Sequence, residues 1–149
     1  MNNLARLKEF ATRYAEAWCG QNPESVAAFF AENGSLTVND GPPAVGRAAI
    51  AEIAQGFMRD FPHMVVAMDK LEPESPDGGR SSYASPARTD AVFHWTLTGT
   101  NAGPGGTGKR LRISGYELWK IDNDGLIGES KGHFDSAEYE RQLKEGSDV

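Results

Sequence analysis

A chain of 149 residues with 39% hydrophobic residues can form one domain around a core and leaves little for a second. The net charge of −6, with no basic stripe to offset it, repels a phosphate backbone and argues against nucleic acid as a partner. The one cysteine, Cys19, rules out an internal disulfide, and no apolar run approaches the ~18 residues that span a bilayer. The charged, amphipathic start from Met1 to Phe10 does not read as a signal peptide. The expectation is a single domain over residues 1–149 in a reducing, cytoplasmic setting, with no membrane partner.

Leu4, Leu7, Ala11, Tyr14 and Trp18 recur at the spacing of one helix face, ending near Cys19-Gly20. Asn22-Pro23 restarts a helix, with Asn as the cap and Pro in the first turn. Val26, Phe29 and Phe30 are its apolar side. Leu36, Val38 and Asp40 alternate with Thr37 and Asn39, which predicts a short strand ended by Gly41-Pro42-Pro43. A third helix is expected from Arg47 to Phe61, with Ile50, Ile53, Phe57 and Phe61 as its stripe and Pro62 as its stop.

The period then changes to two. His63–Leu71 reads as a strand and Pro73–Arg88, rich in Ser, Pro and Gly, as a loop. Ala91–Thr100 is a strand with Phe93, Trp95 and Leu97 on one face and His94, Thr96 and Thr98 on the other. Gly103–Gly108 is expected to be a flexible hairpin loop over a pocket mouth. With Lys109 it matches a phosphate-loop spacing, but such a loop needs a helix after it, and here a strand follows. Arg110–Ile121 is that strand, with Ile113, Gly115, Glu117 and Trp119 on one face. Asp124-Gly125 is a hairpin turn signal, and Leu126–Phe134 is the last strand. Asp135 and Glu138 open a final helix that runs through Leu143.

Helices followed by a run of strands predict an α+β domain: a cone-like, curved antiparallel sheet packed on three N-terminal helices. Aromatic residues on the concave side suit a flat apolar ligand, or simply fill a core. The expected wall is Trp18, Val38, Phe57, Phe61, Phe93, Trp95, Ile113, Trp119, Ser130 and Phe134. His63, His94 and His133 are scattered and no pair has ligand spacing, so neither a metal nor a cofactor is expected.

The order of elements resembles the nuclear transport factor 2-like (cystatin-like) superfamily, and within it the SnoaL-like proteins, named for a polyketide cyclase. Phe30-Ala31-Glu32-Asn33, Val45-Gly46-Arg47-Ala48-Ala49-Ile50, Trp95 to Thr100, Asp124-Gly125-Leu126-Ile127 and Phe134-Asp135 followed by Arg141-Gln142-Leu143 carry the likeness. Ketosteroid isomerase, a relative, holds an oxyanion with a first-helix tyrosine and a protonated strand carboxyl. The resemblance puts Tyr14 and Glu117 at those places. The family's aspartate base falls at Val38, and Asp40, two residues on, is the nearest carboxylate. The cyclases offer an acidic residue from the last strand, at the place of Gly132 here.

The resemblance thus implies Tyr14, Asp40 and Glu117 as catalytic residues. Tyr14 and Glu117 would donate to a developing enolate, and Asp40 would remove a proton. The alternative is structural: Tyr14 in the core, Glu117 paired with Arg112 or Arg47, and Asp40 in a turn. Three functions stay open. One is a cofactor-independent acid–base enzyme of isomerase, cyclase or dehydratase type acting on a small apolar molecule. The others are a ligand-binding domain without turnover and a dimerisation module closed by its aromatics. A homodimer is implied, built on the outer sheet face of His94, Thr96, Glu129, Lys131 and His133.

Overall fold

The computed structural model describes residues 3–73 and 89–147. The chain runs α1 (Asn3–Cys19), α2 (Pro23–Ala27), β1 (Phe30–Val38), β2 (Ala44–Val45), α3 (Arg47–Asp60), β3 (Val65–Pro73), β4 (Ala91–Thr100), β5 (Arg110–Ile121), β6 (Ile127–Phe134) and α4 (Ser136–Glu145). Of the expected Pro73–Arg88 loop, Pro73 ends β3 and the rest lies outside the described residues. The α+β class holds, with α1, α2 and α3 as the three N-terminal helices.

The strands form one six-stranded sheet in the order β2-β1-β6-β5-β4-β3. It is mixed and not purely antiparallel, because β1 lies parallel to β6, with Leu36 opposite Ser130 and Val38 opposite Gly132. The alternation at Leu36–Asp40 predicts only the end of β1: the strand begins at Phe30, which the helical pattern assigns to the second helix, and that helix stops at Ala27; nor does alternation show the strand's partner. The whole of α3 to β5 intervenes before β6, which gives room for a parallel pairing. The sequence also places Gly41-Pro42-Pro43 at a strand end without revealing that Ala44–Val45 folds back on Ser35 and Leu36.

The ladder slips between Met68 and Lys70 against β4, between Lys120 and Ile121 against β6, and between Phe30 and Ser35 of β1. Extra residues at such slips bend a strand and raise its twist. The result is a concave face on which Leu36 of β1 and Val66 of β3, from opposite sides of the sheet, share one cavity wall.

Helix α1 lies in that concavity. Its stripe of Ala11, Tyr14, Ala15 and Trp18 is buried. The Tyr14 ring meets Phe93 edge-on at 5.2 Å and Trp119 at 5.4 Å, while Phe93 stacks on Trp119 at 5.1 Å. Such pairs add to the apolar area that drives the packing.

Two polar side chains dock helices onto free strand edges, which would otherwise be open to pairing. The Cys19 thiol takes a hydrogen bond from Val66 N at 3.2 Å and lies 3.4 Å from Val66 O, so the cysteine has a packing role on β3. Gln142 of α4 accepts from Arg112 N at 2.7 Å and donates to Arg112 O at 2.9 Å. It occupies the edge of β5 beyond the end of β6.

Candidate functional site

Strand β5 sends Leu111, Ile113, Glu117 and Trp119 inward, and all four are buried. Glu117 is the charged member of that row and is only 7% exposed. Tyr14 O–H donates to its Oε1 at 3.0 Å and lies 3.3 Å from Oε2. Trp119 Nε1–H donates to Oε1 at 2.9 Å, and Ser130 O–H donates to Oε1 at 2.8 Å. Tyr14, Trp119 and Ser130 are themselves fully enclosed.

Among the described residues no cation pairs with this carboxyl. Arg47 donates instead to the Phe30 carbonyl at 3.0 Å, and Arg112 is an exposed residue. The ion-pair alternative for Glu117 with either arginine is therefore not what the structure holds. Burial raises the Glu117 pKa above the ordinary carboxyl value of 4.5, against the downward pull of the bonds from Trp119, Ser130 and Tyr14. Loss of solvation is the dominant cause. Burial first, and then the nearby Glu117 carboxyl, pushes Tyr14 well above the usual phenol value, so Tyr14 stays a neutral donor.

Glu117 also borders a cavity of about 70 Å³. Of the residues expected in a wall, Trp18, Val38, Phe57, Phe93, Trp95, Ile113 and Phe134 line this cavity. Phe61, Trp119 and Ser130 do not reach it. They are completely buried, with Phe61 turned against Tyr139 at 6.3 Å, Trp119 stacked behind Phe93, and Ser130 engaged with Glu117. Facing inward from a strand is not the same as reaching the cavity, because the layer nearest the helices is filled by α1.

The wall includes residues that the sequence reading did not place there. Leu36, Ile53, Val66 and Leu97 are further apolar members, and Tyr139 of α4 closes one side. Burial, followed by Asp60 and Glu140, pushes the Tyr139 phenol up to about 12. Gly132 lies opposite Glu117 in the β5–β6 ladder and lines the cavity where a side chain would stand. A Cβ there would sit 3.7 Å from Glu117 Cγ. The missing side chain is what lets the cavity extend to the carboxyl. Alternation marks Gly132 as inward-facing; only the ladder register shows that it faces Glu117.

Two of the three expected catalytic residues stand elsewhere. Tyr14 is not among the residues that line the cavity; its hydroxyl ends on Glu117. Asp40 is exposed and lines a separate depression on the outer side of the sheet, with Tyr116 and His133. The strand ends at Val38, and Asn39 takes a left-handed turn (φ +52°) with its side chain accepting from Phe134 N at 2.9 Å. Strand alternation therefore fails between Val38 and Asp40, and Asp40 does not line the cavity that Glu117 borders.

The Gly103–Gly108 loop is likewise not a lid. Asn101 donates to Asp60 O at 3.1 Å and accepts from Thr107 N at 2.7 Å, which fastens the loop to the end of α3. A Cβ at Gly103 would fall 1.8 Å from Arg59 O, a contact only glycine permits. No residue of the loop borders the cavity. His133 faces outward, 5.1 Å from the Tyr116 ring, and Asp135 caps α4 through Glu138 N. Among the described residues no three His, Cys, Asp or Glu side chains gather as a metal-binding group, and no helix is long and apolar enough to cross a membrane.

Solved structures share the fold at low identity. A protein with a ketosteroid isomerase-like fold from Catenulispora acidiphila, in complex with trimethylamine, is 17% identical over 85% of each chain, with a TM-score of 0.66. The epoxide hydrolase/cyclase-like enzyme SalBIII, of pyran ring formation in the polyether salinomycin, is 14% identical over 93% of this chain and 97% of its own (TM-score 0.70). A nuclear transport factor 2-like protein of unknown function from Burkholderia pseudomallei is 18% identical over 96% and 98% (TM-score 0.71). The sequence matches no curated protein. The model of the SnoaL-like domain matches residues 11–130, and the chain belongs to that family.

Proposed function

We propose that the cone binds a small, uncharged, mainly apolar molecule with a polar oxygen, and that Glu117 is the group that meets this oxygen. The observation that carries this is a buried carboxyl without a cation at the wall of an otherwise apolar cavity. Such a carboxyl favours its neutral form, which donates a hydrogen bond. An anionic ligand finds no cation among the described wall residues, and it would raise the cost of ionising Glu117 further.

The chemistry open to this site is acid assistance at oxygen. A neutral carboxyl polarises a carbonyl, or protonates an epoxide or ether oxygen as its C–O bond breaks; a hydroxyl of the same ligand then forms the new C–O bond at that carbon, and its proton returns to the Glu117 carboxylate. Among the described residues the site has an acid and no second carboxylate: Asp40 is on the other side of the sheet, and the place of the cyclase acid is Gly132. Steroid-isomerase chemistry, which needs a separate base, is not favoured. Acid-assisted opening and reclosure at a C–O bond is supported by likeness to the epoxide hydrolase/cyclase-like neighbour.

A second reading, ligand binding without turnover, is favoured by the same absence of a base from the described wall. Both readings place the ligand against Glu117. Cyclohexanone serves as a probe, followed by the fluorescence of Trp18 and Trp95 in the wall. Glu117→Leu should weaken its binding by about tenfold or more, the worth of one buried hydrogen bond. Equal binding by both proteins, or none by either, would overturn the reading. A homodimer through the outer sheet face belongs to the same proposal, and a monomer in sedimentation at micromolar concentration would remove it.

A further inference from the structure

Glu117 has two unequal oxygens. Oε1 receives Tyr14, Trp119 and Ser130 at 3.0, 2.9 and 2.8 Å; Oε2 has only the longer approach of Tyr14 at 3.3 Å. A carboxyl oxygen has about two lone-pair sites, so three donors saturate Oε1. The inequality follows from the ladder. Trp119 pairs with Ser130 and Glu117 with Gly132 on adjacent β5 and β6. The carboxyl leans toward the Trp119–Ser130 pair, where donors from both strands meet, and the side over Gly132 is left without a side chain. Diagonal neighbours on one sheet face lie within reach of side chains of this length.

We infer that Ser130 and Trp119 are positioning residues that occupy Oε1 and leave Oε2 as the one carboxyl atom able to carry a proton to a ligand. Glu117 is then a one-atom acid. It reads a single acceptor oxygen and does not grip two atoms at once. This deepens the proposed reading of the same cavity and depends on it for the identity of the ligand. The arrangement of the carboxyl itself can be tested with no ligand present, so failure of the binding reading and failure of this one are distinguishable.

The measurement is the titration of the Glu117 side-chain carboxyl by carbon NMR in ligand-free protein carrying labelled glutamate, with the resonance assigned by its loss in Glu117→Gln. Donors to Oε1 stabilise the ionised form, so removing one raises the pKa. Ser130→Ala and Trp119→Phe should each move the midpoint upward by about one pH unit, and Ser130→Thr, which keeps the hydroxyl, should restore it. A midpoint unchanged in either folded variant would overturn the assignment of that residue. The wild-type protein supplies a second readout that does not depend on variants folding. The Trp119 indole N–H proton should shift with the Glu117 midpoint; an N–H resonance that stays still through that titration would overturn the shared contact on Oε1.

Discussion

The inner and outer faces of the same sheet treat a carboxyl in opposite ways. Outside, Glu72 lies 2.7 Å from His94 Nε2 and 3.6 Å from Lys70 Nζ. The bond to His94, followed by the Lys70 charge, lowers its pKa. Glu129 has Lys120 at 3.5 Å and Lys131 at 4.0 Å. On α4 the paired bonds from Arg141, and then Gln142, hold Glu138 down at about 2. Inside, Glu117 meets three uncharged donors and no cation among the described residues, and burial raises it. Residue type is the same; solvent and partner charge decide the sign. An exposed carboxylate can take or lose a partner at little cost, whereas burial without a cation shifts a carboxyl toward its neutral form.

The comparison can be broken hardest at Trp119, which carries both the packing and a donor of the inner face. Trp119→Ala should cost about 3–5 kcal/mol of stability in urea denaturation, and the loss of cavity fluorescence response should accompany it.

The next effect is one of pH. A carboxyl whose folded pKa is raised stabilises the fold fully below its unfolded value and loses that contribution as pH rises through the folded value. Between 4.5 and the folded midpoint the wild type should therefore lose about 1.4 kcal/mol per pH unit relative to Glu117→Gln, which cannot ionise. Parallel stability curves for the two proteins would show that Glu117 ionises normally. Glu138, held low, has the opposite sign: its contribution is present above 4.5 and is lost as pH falls toward about 2. Acid unfolding of Glu138→Gln should accordingly be less steep than that of the wild type.

Gly132→Ala sharpens the inner face without altering its charge. The added methyl meets Thr37 O at 3.5 Å and Glu117 Cγ at 3.7 Å, both ordinary contacts, so the fold should be retained. The methyl narrows the approach to the carboxyl, and cyclohexanone should bind about tenfold more weakly. Smallest of all, Glu129→Gln on the outer face should change stability by less than about 0.5 kcal/mol.

Much of this architecture is legible in the residues. The helical spacing from Leu7 to Trp18, the alternation around Phe93 and Glu117, and the capping of α4 by Asp135 are local signals, and each element forms where its pattern predicts. Glu117 stands out because an acid on an apolar strand face must be either paired or neutral. The rest depends on geometry that no local pattern carries. The parallel pairing of β1 with β6 joins the beginning of the chain to its end. Asp40 leaves the inner face because one residue, Asn39, adopts a left-handed turn. The convergence of Trp119 and Ser130 on Glu117 needs the β5–β6 register, and Tyr139 reaches the wall from α4, which Gln142 ties to β5.

The contrast between the two faces rests on the sign of one pKa shift. Carboxyl titration of the ligand-free protein, compared with Glu117→Gln, reads it directly. The resonance that disappears in Glu117→Gln should have its midpoint above 4.5, while those of Glu72 and Glu138 fall below it. A vanished resonance that titrates at or below 4.5 would mean that Glu117 is an ordinary ionised carboxylate, and the acid in the cone would be lost with it.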